Sequence, residues 1–314
     1  MQKNRIICIV GPTASGKTAL SIALAKKLSG EIVSGDSMQI YKGMDIGTAK
    51  PDETERDGVV HHMLSVAEPS ENYSAARYVK EAGACVDEIL SCGKVPIVVG
   101  GTGLYIDSLV NGTEFAAHLE DEKYRRELWE LYEEKGVEFL HDMLSRVDAA
   151  RAEEIHKNNV KRVIRALEVY KITGKTISEH DEETKGKEPK YDATYIGLEF
   201  QNRDRLYERI NLRVDKMIEA GLLREVENLL GSGLSPSSTA MQAIGYKELV
   251  AYFEGKEMLD EAIEKIKLNS RRYAKRQMTW FKRNEKVNWI AVDKSENISD
   301  IIQNSMNFIS FDSI

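Results

Sequence analysis

Residues 5–18, RIICIVGPTASGKT, carry the strongest indication of fold in this chain. The apolar run RIICIV ends directly in GPTASGKT, which matches the phosphate-loop pattern G-x-x-x-x-G-K-[ST] at every defined position. TALSIALAKKL then repeats apolar residues at helical spacing. A strand, a glycine-rich turn and a helix in this order predict a P-loop, whose backbone N–H groups surround phosphate oxygens. The predicted phosphate contacts are Gly11, Pro12, Thr13, Ala14, Ser15, Gly16, Lys17 and Thr18.

Asp36 is the carboxylate that ends the next strand pattern, EIVSGD at residues 31–36. It should enter the crevice at the carboxyl ends of the parallel strands, beside the P-loop. The pattern leaves three roles open: a Mg²⁺ ligand together with the Thr18 hydroxyl, a base, or the cap of a turn. In nucleotide hydrolases and kinases the P-loop is usually joined by a strand that ends in the Asp holding Mg²⁺, whereas PIVV, residues 96–99, ends in GGTG. The loop alone therefore leaves the phosphate compound open.

Strand and helix patterns alternate through the N-terminal third and predict an α/β fold, a doubly wound parallel sheet around the P-loop. Strand patterns then disappear, and two long amphipathic patterns predict an inserted all-helical domain. TYIGLEF, residues 194–200, restores a strand that can rejoin the first sheet. We therefore predict a core domain, residues 1–113 and 191–314 with C-terminal basic helices, interrupted by a helical domain at 114–190.

Composition and charge narrow the classes of function. The 314 residues are 42% hydrophobic and 30% charged, which is typical of a folded protein with more than one core. No apolar run approaches the roughly 18 to 20 residues of a membrane span, so we expect a cytoplasmic protein away from membranes. The net charge is −7, yet residues 264–286 carry nine Lys or Arg against two Glu. Residues 156–176 carry six Lys or Arg against one Glu. The sequence therefore predicts two basic surfaces suited to nucleic acid.

Six motifs resemble those of the bacterial tRNA dimethylallyltransferases and cover nearly the whole chain. In order they are GPTASGKT (11–18), DSMQIYKGMDIGTAKP (36–51), GGTGLY (100–105), RVIRALEVY (162–170), QAIGYKE (242–248) and RRYAKRQMTWFKR (271–283). The resemblance implies transfer of a dimethylallyl group from dimethylallyl diphosphate to the exocyclic N6 amine of the adenosine immediately 3′ of the tRNA anticodon. It also implies Mg²⁺ as cofactor, release of diphosphate from the P-loop, and a core with a helical insertion that grips the anticodon arm.

The resemblance assigns catalytic roles to three residues. Asp36 resembles the general base, because an adenine amine is a poor nucleophile whose proton must be removed as the new bond forms. Thr102 resembles the residue that touches both the reacting centre and the RNA. Arg213 matches the arginine that neutralises the leaving diphosphate, and Arg209, one helical turn earlier, is the reserve candidate. Thr18 and Asp36 are the candidate Mg²⁺ ligands.

The resemblance and the charge pattern together predict the contacts to tRNA. Ser37 and Gln39 are expected to hold the target adenine. The full predicted set is Asp36, Ser37, Met38, Gln39, Thr102, Arg125, Lys161, Arg162, Val163, Ile164, Arg165, Gln242, Gly245, Lys247, Arg271, Lys275, Arg276, Gln277 and Trp280. Tyr273, Trp280 and Phe281 of the last motif can instead pack inward beneath a cationic face, which is the interpretation we favour for the aromatic residues.

Other functions stay open at this point. A cytokinin-type adenylate dimethylallyltransferase shares the P-loop chemistry but has little use for the helical insertion and the basic C-terminal segment. A P-loop small-molecule kinase would consume ATP, which is also a candidate occupant of the loop in a prenyltransferase. A non-catalytic RNA-binding module would have no use for Asp36 beside a P-loop. A monomer suits an enzyme that clamps one RNA arm.

Overall fold

The computed structural model describes residues 4–115, 121–184, 186, 188–295 and 297–309. The chain divides into two compact units. The core unit comprises Met1–Gly112 and Pro189–Ile314, and the insertion unit comprises Thr113–Glu188. Each unit has hydrophobic clusters of its own.

A parallel sheet lies at the centre of the core unit. Its described strands are β1 Arg5–Val10, β2 Gly30–Ser34, β3 His61–His62, β4 Val95–Val99, β5 Asp192–Glu199 and β6 Val287–Ala291. They are hydrogen-bonded in the order β3-β2-β4-β1-β5-β6, and every pair is parallel. Ile9 of β1 lies opposite both Val99 of β4 and Ile196 of β5. The TYIGLEF strand therefore rejoins the first sheet, as predicted.

Helices surround the sheet and build the insertion unit. The described residues form α1 Lys17–Leu28, α2 Glu53–Arg56, α3 Ala75–Ser91, α4 Gly103–Asn111, α5 Glu122–Val147, α6 Ala149–Glu154, α7 Val160–Thr173, α8 Ile177–Thr184, α9 Arg203–Glu219, α10 Leu222–Gly231, α11 Tyr246–Phe253, α12 Leu259–Phe281 and α13 Ile298–Phe308. Gly136, with a φ of 81°, interrupts α5. Among these described helices, none has the length and apolar character needed to cross a membrane.

Both faces of the sheet are covered, because successive side chains of a strand point to opposite faces. Cys8 of β1 belongs to the cluster on one face, and Ile7 and Ile9 pack with Leu20 and Leu24 of α1 on the other. Strands buried on both faces are typical of doubly wound α/β proteins. The described part of the insertion unit contains helices and no strand. The predicted fold class is confirmed.

Three loops meet at the carboxyl edge of the sheet, because β2, β4 and β1 are neighbours there. The Gly35 N–H donates to the Val99 backbone oxygen at 2.7 Å, and the Thr102 N–H donates to the Gly35 oxygen at 3.2 Å. A Cβ atom at Gly100 would lie 2.1 Å from the Gly35 oxygen, so a larger residue would force these turns apart. The P-loop, the turn that carries Asp36 and the GGTG turn are thereby held side by side.

Candidate active site

The P-loop joins β1 to α1 through backbone that favours glycine. Gly11 has a φ of +141°, and a Cβ there would lie 2.5 Å from the Leu198 backbone oxygen. Gly16, with a φ of 95°, precedes α1 without a side-chain cap, which leaves the first N–H groups of the helix to an anion. The buried Ser15 hydroxyl has no hydrogen-bond partner among the described residues. These features fit a loop that binds phosphate.

Two cations lie beside the loop. Lys17 Nζ donates to the backbone oxygens of Gly11 at 2.9 Å and Pro12 at 2.7 Å. Burial, reinforced by the charge of Arg213, lowers the pKa of Lys17 to about 7, and Asp36 opposes this shift. Burial also lowers the pKa of Arg213, again against the effect of Asp36. An anionic group bound at this place would relieve the repulsion between the two cations.

A pocket of about 270 Å³ opens between the P-loop, the turn after β2, and helices α9 and α12. Of the two arginine candidates on α9, Arg213 lines this pocket, whereas Arg209 donates from Nε to the Ala14 backbone oxygen at 2.9 Å. The lining is polar at Thr13, Asp36, Ser37, Arg213, Tyr273 and Arg276, and apolar at Ile210, Val214, Met217, Ala243, Ile244 and Ile266. This combination suits a ligand with a charged head and a small apolar tail.

Asp36 caps a turn with one oxygen and keeps the other free. Its Oδ1 accepts from the backbone N–H of Met38 at 2.9 Å and of Gln39 at 3.4 Å. Its Oδ2 has no hydrogen-bond partner in the part of the chain that the structure describes. The capping role and the role of a base are therefore compatible, because the turn holds the carboxylate in place while the second oxygen stays available.

Thr102 and Tyr273 complete the polar end of the site. Thr102 Oγ1 accepts from the Ser37 N–H at 3.1 Å and donates to Ser37 Oγ at 3.3 Å, which ties the GGTG turn to the turn after β2. Burial and the charge of Asp36 raise the pKa of Tyr273, so its phenol stays protonated. The sequence predicts that Tyr273 packs inward, and the structure places its side chain in the lining of the pocket.

Gln39 supports a loop instead of facing the pocket. Its Nε2 donates to the backbone oxygens of Thr48 and Ala49, each at 3.2 Å. Ser37 and Met38 of the same motif do line the pocket. The predicted contact between the Gln39 amide and the target adenine is therefore corrected, because that amide is already engaged.

Two predicted RNA contacts on α12 point into the core unit. Gln277 is buried, accepts from the Thr13 N–H at 2.8 Å and donates to the Gly101 oxygen at 3.1 Å. Trp280 donates from Nε1 to Asp107 Oδ2 at 2.6 Å. Both side chains therefore connect elements of the site and do not present a surface to RNA.

The remaining predicted contacts of the core unit divide by exposure. Gln242, Lys247, Lys275 and Arg276 are exposed. Arg271 is half-buried, and its Nη1 donates to Asn211 Oδ1 at 2.6 Å. Lys275 therefore extends to solvent away from the pocket, whereas Gln242, Lys247 and Arg276 are exposed at the pocket itself.

In the insertion unit two arginines share one buried carboxylate. Arg125 Nη2 lies 2.9 Å from Glu168 Oε1, and Arg165 Nη1 lies 2.7 Å from Glu168 Oε2. Glu168 is 0% exposed, whereas Lys161 and Arg162 extend to solvent from the same helix, α7. The predicted cations are thus held at the surface of this unit.

Three predicted RNA contacts fall at buried positions, so the side chains of the two that are not glycine do not reach RNA. Val163 and Ile164 are 1% and 2% exposed and belong to the core of the insertion unit. Gly245, which precedes α11, is also buried. On a helix the residues after Arg162 turn away from its exposed face, so a contiguous motif cannot be exposed throughout.

The donor set fits Mg²⁺ bound together with a phosphate compound. The described residues contain no group of three or more His, Cys, Asp or Glu side chains that could hold a metal. Mg²⁺ at such sites needs only one or two carboxylates, because substrate phosphates and water supply the other ligands. The free oxygen of Asp36 and the hydroxyl of Thr18, an exposed residue, are groups of that kind.

Comparison with known proteins gives the family of this chain. The family model described as IPP transferase matches residues 39–284. The chain belongs to this family. The tRNA dimethylallyltransferase of Acetivibrio thermocellus is 50% identical over 307 residues, 98% of each chain. That of Carboxydothermus hydrogenoformans is 53% identical over 285 residues, 91% of each chain.

IPP transferases of known structure share the architecture. The full-length tRNA isopentenylpyrophosphate transferase of Bacillus halodurans is 45% identical with a TM-score of 0.72, over 98% of this chain and 95% of that chain. A eukaryotic dimethylallyltransferase, described as acting on tRNA, is 31% identical with a TM-score of 0.81. The match covers 96% of this chain and 77% of that chain. The family resemblance drawn from the sequence is confirmed, and the protein is a prenyltransferase.

Proposed function

We propose that this protein transfers the dimethylallyl group of dimethylallyl diphosphate to the N6 amine of the adenosine immediately 3′ of the tRNA anticodon. The proposal rests on a single pocket, which is lined by Asp36 with its free oxygen, by Thr13 of the P-loop and by Arg213. A carboxylate and a phosphate-binding loop at one place provide the two things this transfer needs, a base and a stabilised leaving group.

The donor side of the pocket binds the leaving group. As the allylic C–O bond breaks, negative charge builds on the diphosphate, and Lys17, Arg213 and the loop amides offset it. Thr18 would hold Mg²⁺ with phosphate and water as further ligands, and Mg²⁺ when bound supplies further positive charge to the diphosphate. The single free oxygen of Asp36 is then available for the proton of the amine. The apolar wall, which includes Val214 and Met217, encloses the prenyl carbons and keeps water from the reacting carbon.

The acceptor side of the pocket activates the adenine. The new N–C bond forms as the C–O bond breaks, and Asp36 takes the proton that the amine loses. Ser37 and the protonated Tyr273 line the pocket, and Thr102 is linked to Ser37, so these groups would fix the base through hydrogen bonds. A stacked base cannot reach such a crevice, so the adenosine must be flipped out of the anticodon arm at a cost of a few kcal/mol.

The exposed cations favour tRNA over free adenylate as the acceptor. Lys275 on α12, and Lys161 and Arg162 on α7, are exposed and lie outside the pocket lining, so they can neutralise phosphates of an RNA. A free nucleotide would use none of these groups. We further propose that the enzyme acts in the cytoplasm as a monomer, and that ATP can occupy the P-loop.

The proposal is tested by weighing reaction products. The purified protein is incubated with Mg²⁺, dimethylallyl diphosphate and either an anticodon stem-loop or AMP. We expect the stem-loop to gain one five-carbon unit and AMP to remain unchanged. A modified AMP would favour the adenylate prenyltransferase, and ATP consumption with a small-molecule acceptor would favour the kinase.

A further inference from the structure

We propose that Glu225, on α10, is a positioning residue for the acceptor side of the pocket. The inference rests on the proposed function and adds a residue that lies outside all six motifs. Glu225 sits about 180 positions after the loop that it contacts, residues 45–49.

The Glu225 carboxylate occupies a nest of three successive backbone N–H groups. Its Oε2 accepts from Asp45 at 2.9 Å and Ile46 at 2.8 Å, and its Oε1 accepts from Gly47 at 3.0 Å. Oε1 also accepts from the Tyr246 hydroxyl at 2.5 Å. Consecutive N–H groups in a turn form a site for an anion, and here the anion is a side chain of the protein itself.

Close packing makes this arrangement specific. A Cβ at Gly47 would lie 2.5 Å from a ring carbon of Tyr246, so the loop approaches α11 only because residue 47 is glycine. The buried Lys50 ammonium donates to Asp45 Oδ1 at 2.6 Å and to the Tyr41 backbone oxygen at 2.7 Å. The loop is thus held by contacts to both a carboxylate and an ammonium.

The position of this loop determines part of the pocket wall. Gly47 and Thr48 line the pocket directly. The backbone oxygens of Thr48 and Ala49 hold the Gln39 amide, and the Gln39 N–H is one of the two donors to Asp36 Oδ1. Removing the Glu225 charge should therefore displace the wall and the turn that receive the adenine.

The donor side is supported separately. Gln277 binds the Thr13 N–H, and Arg209 binds the Ala14 oxygen, so the P-loop does not depend on Glu225. A change at Glu225 should weaken binding of the RNA acceptor and slow the transfer, while leaving dimethylallyl diphosphate binding intact. If Glu225 only stabilised the fold, its substitution would not affect the binding of one substrate and spare the other.

The test compares Glu225→Gln with wild type in prenylation of an anticodon stem-loop, below the melting temperature of both. We expect kcat/KM for the stem-loop to fall by on the order of tenfold, because the amide cannot accept all of the N–H groups. The Kd of dimethylallyl diphosphate should change by less than about twofold. Glu225→Asp, which keeps the charge, should recover part of the loss, and Glu227→Gln, at an exposed position of α10, should behave as wild type.

Four results would overturn the inference or the function on which it rests. Unchanged kcat/KM in Glu225→Gln, or an equal loss of affinity for dimethylallyl diphosphate, rejects the positioning role alone. A wild type that does not prenylate the stem-loop rejects the proposed function. If Glu225→Gln does not fold, Tyr246→Phe removes a single donor to Oε1, and an unchanged KM for the stem-loop in that variant rejects the inference.

Discussion

The lowered pKa of Lys17 predicts that binding of dimethylallyl diphosphate weakens as the pH rises. In the free protein this pKa is about 7, against an ordinary value of 10.5, because of burial and the charge of Arg213. A bound diphosphate favours the charged ammonium and returns the pKa towards its ordinary value. Above about pH 7, binding must therefore take up a proton, and the affinity falls by up to tenfold for each pH unit.

The size of this effect follows from the two pKa values. Between pH 7 and pH 9 the free protein loses the Lys17 proton while the complex retains it, so linkage gives a loss of affinity of about 50-fold. Without ligand, Lys17 keeps its ordinary pKa in the unfolded chain and has a lowered pKa in the folded protein. The unfolded chain therefore binds more protons than the folded protein over this pH range. The free energy of unfolding of the free protein should therefore rise between pH 7 and pH 10.5.

Isothermal titration calorimetry at several pH values measures both the affinity and the proton uptake. Lys17→Arg is the matched control, because an arginine stays charged and its pH dependence reports only the ionisation of the ligand. Wild type should lose affinity much more steeply than this variant. Equal slopes, or a change of less than about threefold in wild type between pH 7 and pH 9, would show that Lys17 is already charged in the free protein.

Two further substitutions test the contacts of the site. Glu168→Gln should raise the Kd for an anticodon stem-loop several-fold, because Arg125 and Arg165 lose their shared charged partner, and dimethylallyl diphosphate binding should not change. Gly101→Ala should lower the free energy of unfolding by about 1–3 kcal/mol in a urea titration, because its Cβ would lie 1.9 Å from Gln277 Nε2. Gly231→Ala, where the Cβ meets open space, is the control for the second experiment.

The fold and the centre of the site are predictable from local sequence. A P-loop between an apolar run and a helical pattern specifies β1, the loop and α1 without any distant contact. Asp36 lies in the pocket because it follows a strand of the same parallel sheet, and the ends of such strands share an edge. The six motifs then identify the family, since their order spans both units.

The contacts that depend on tertiary packing are not predictable in this way. Nothing in the sequence near Glu225 indicates that it binds a loop about 180 residues away. Val163, Ile164, Gln277 and Trp280 sit among exposed cations in the sequence, so their motifs suggest RNA contact. The helical period would have separated the two faces, because Val163 follows Arg162 by 100° and Gln277 lies on the side of α12 that faces the P-loop.

A single-turnover comparison of Asp36→Asn with wild type shows whether Asp36 acts as the base. With the stem-loop and dimethylallyl diphosphate bound, the asparagine can still cap the turn through Oδ1 but cannot take the amine proton. We expect the rate of prenyl transfer to fall by on the order of a hundredfold or more, with the Kd of each substrate nearly unchanged. An unchanged rate, or an equal loss of rate and affinity, would contradict the assignment of Asp36 as the base.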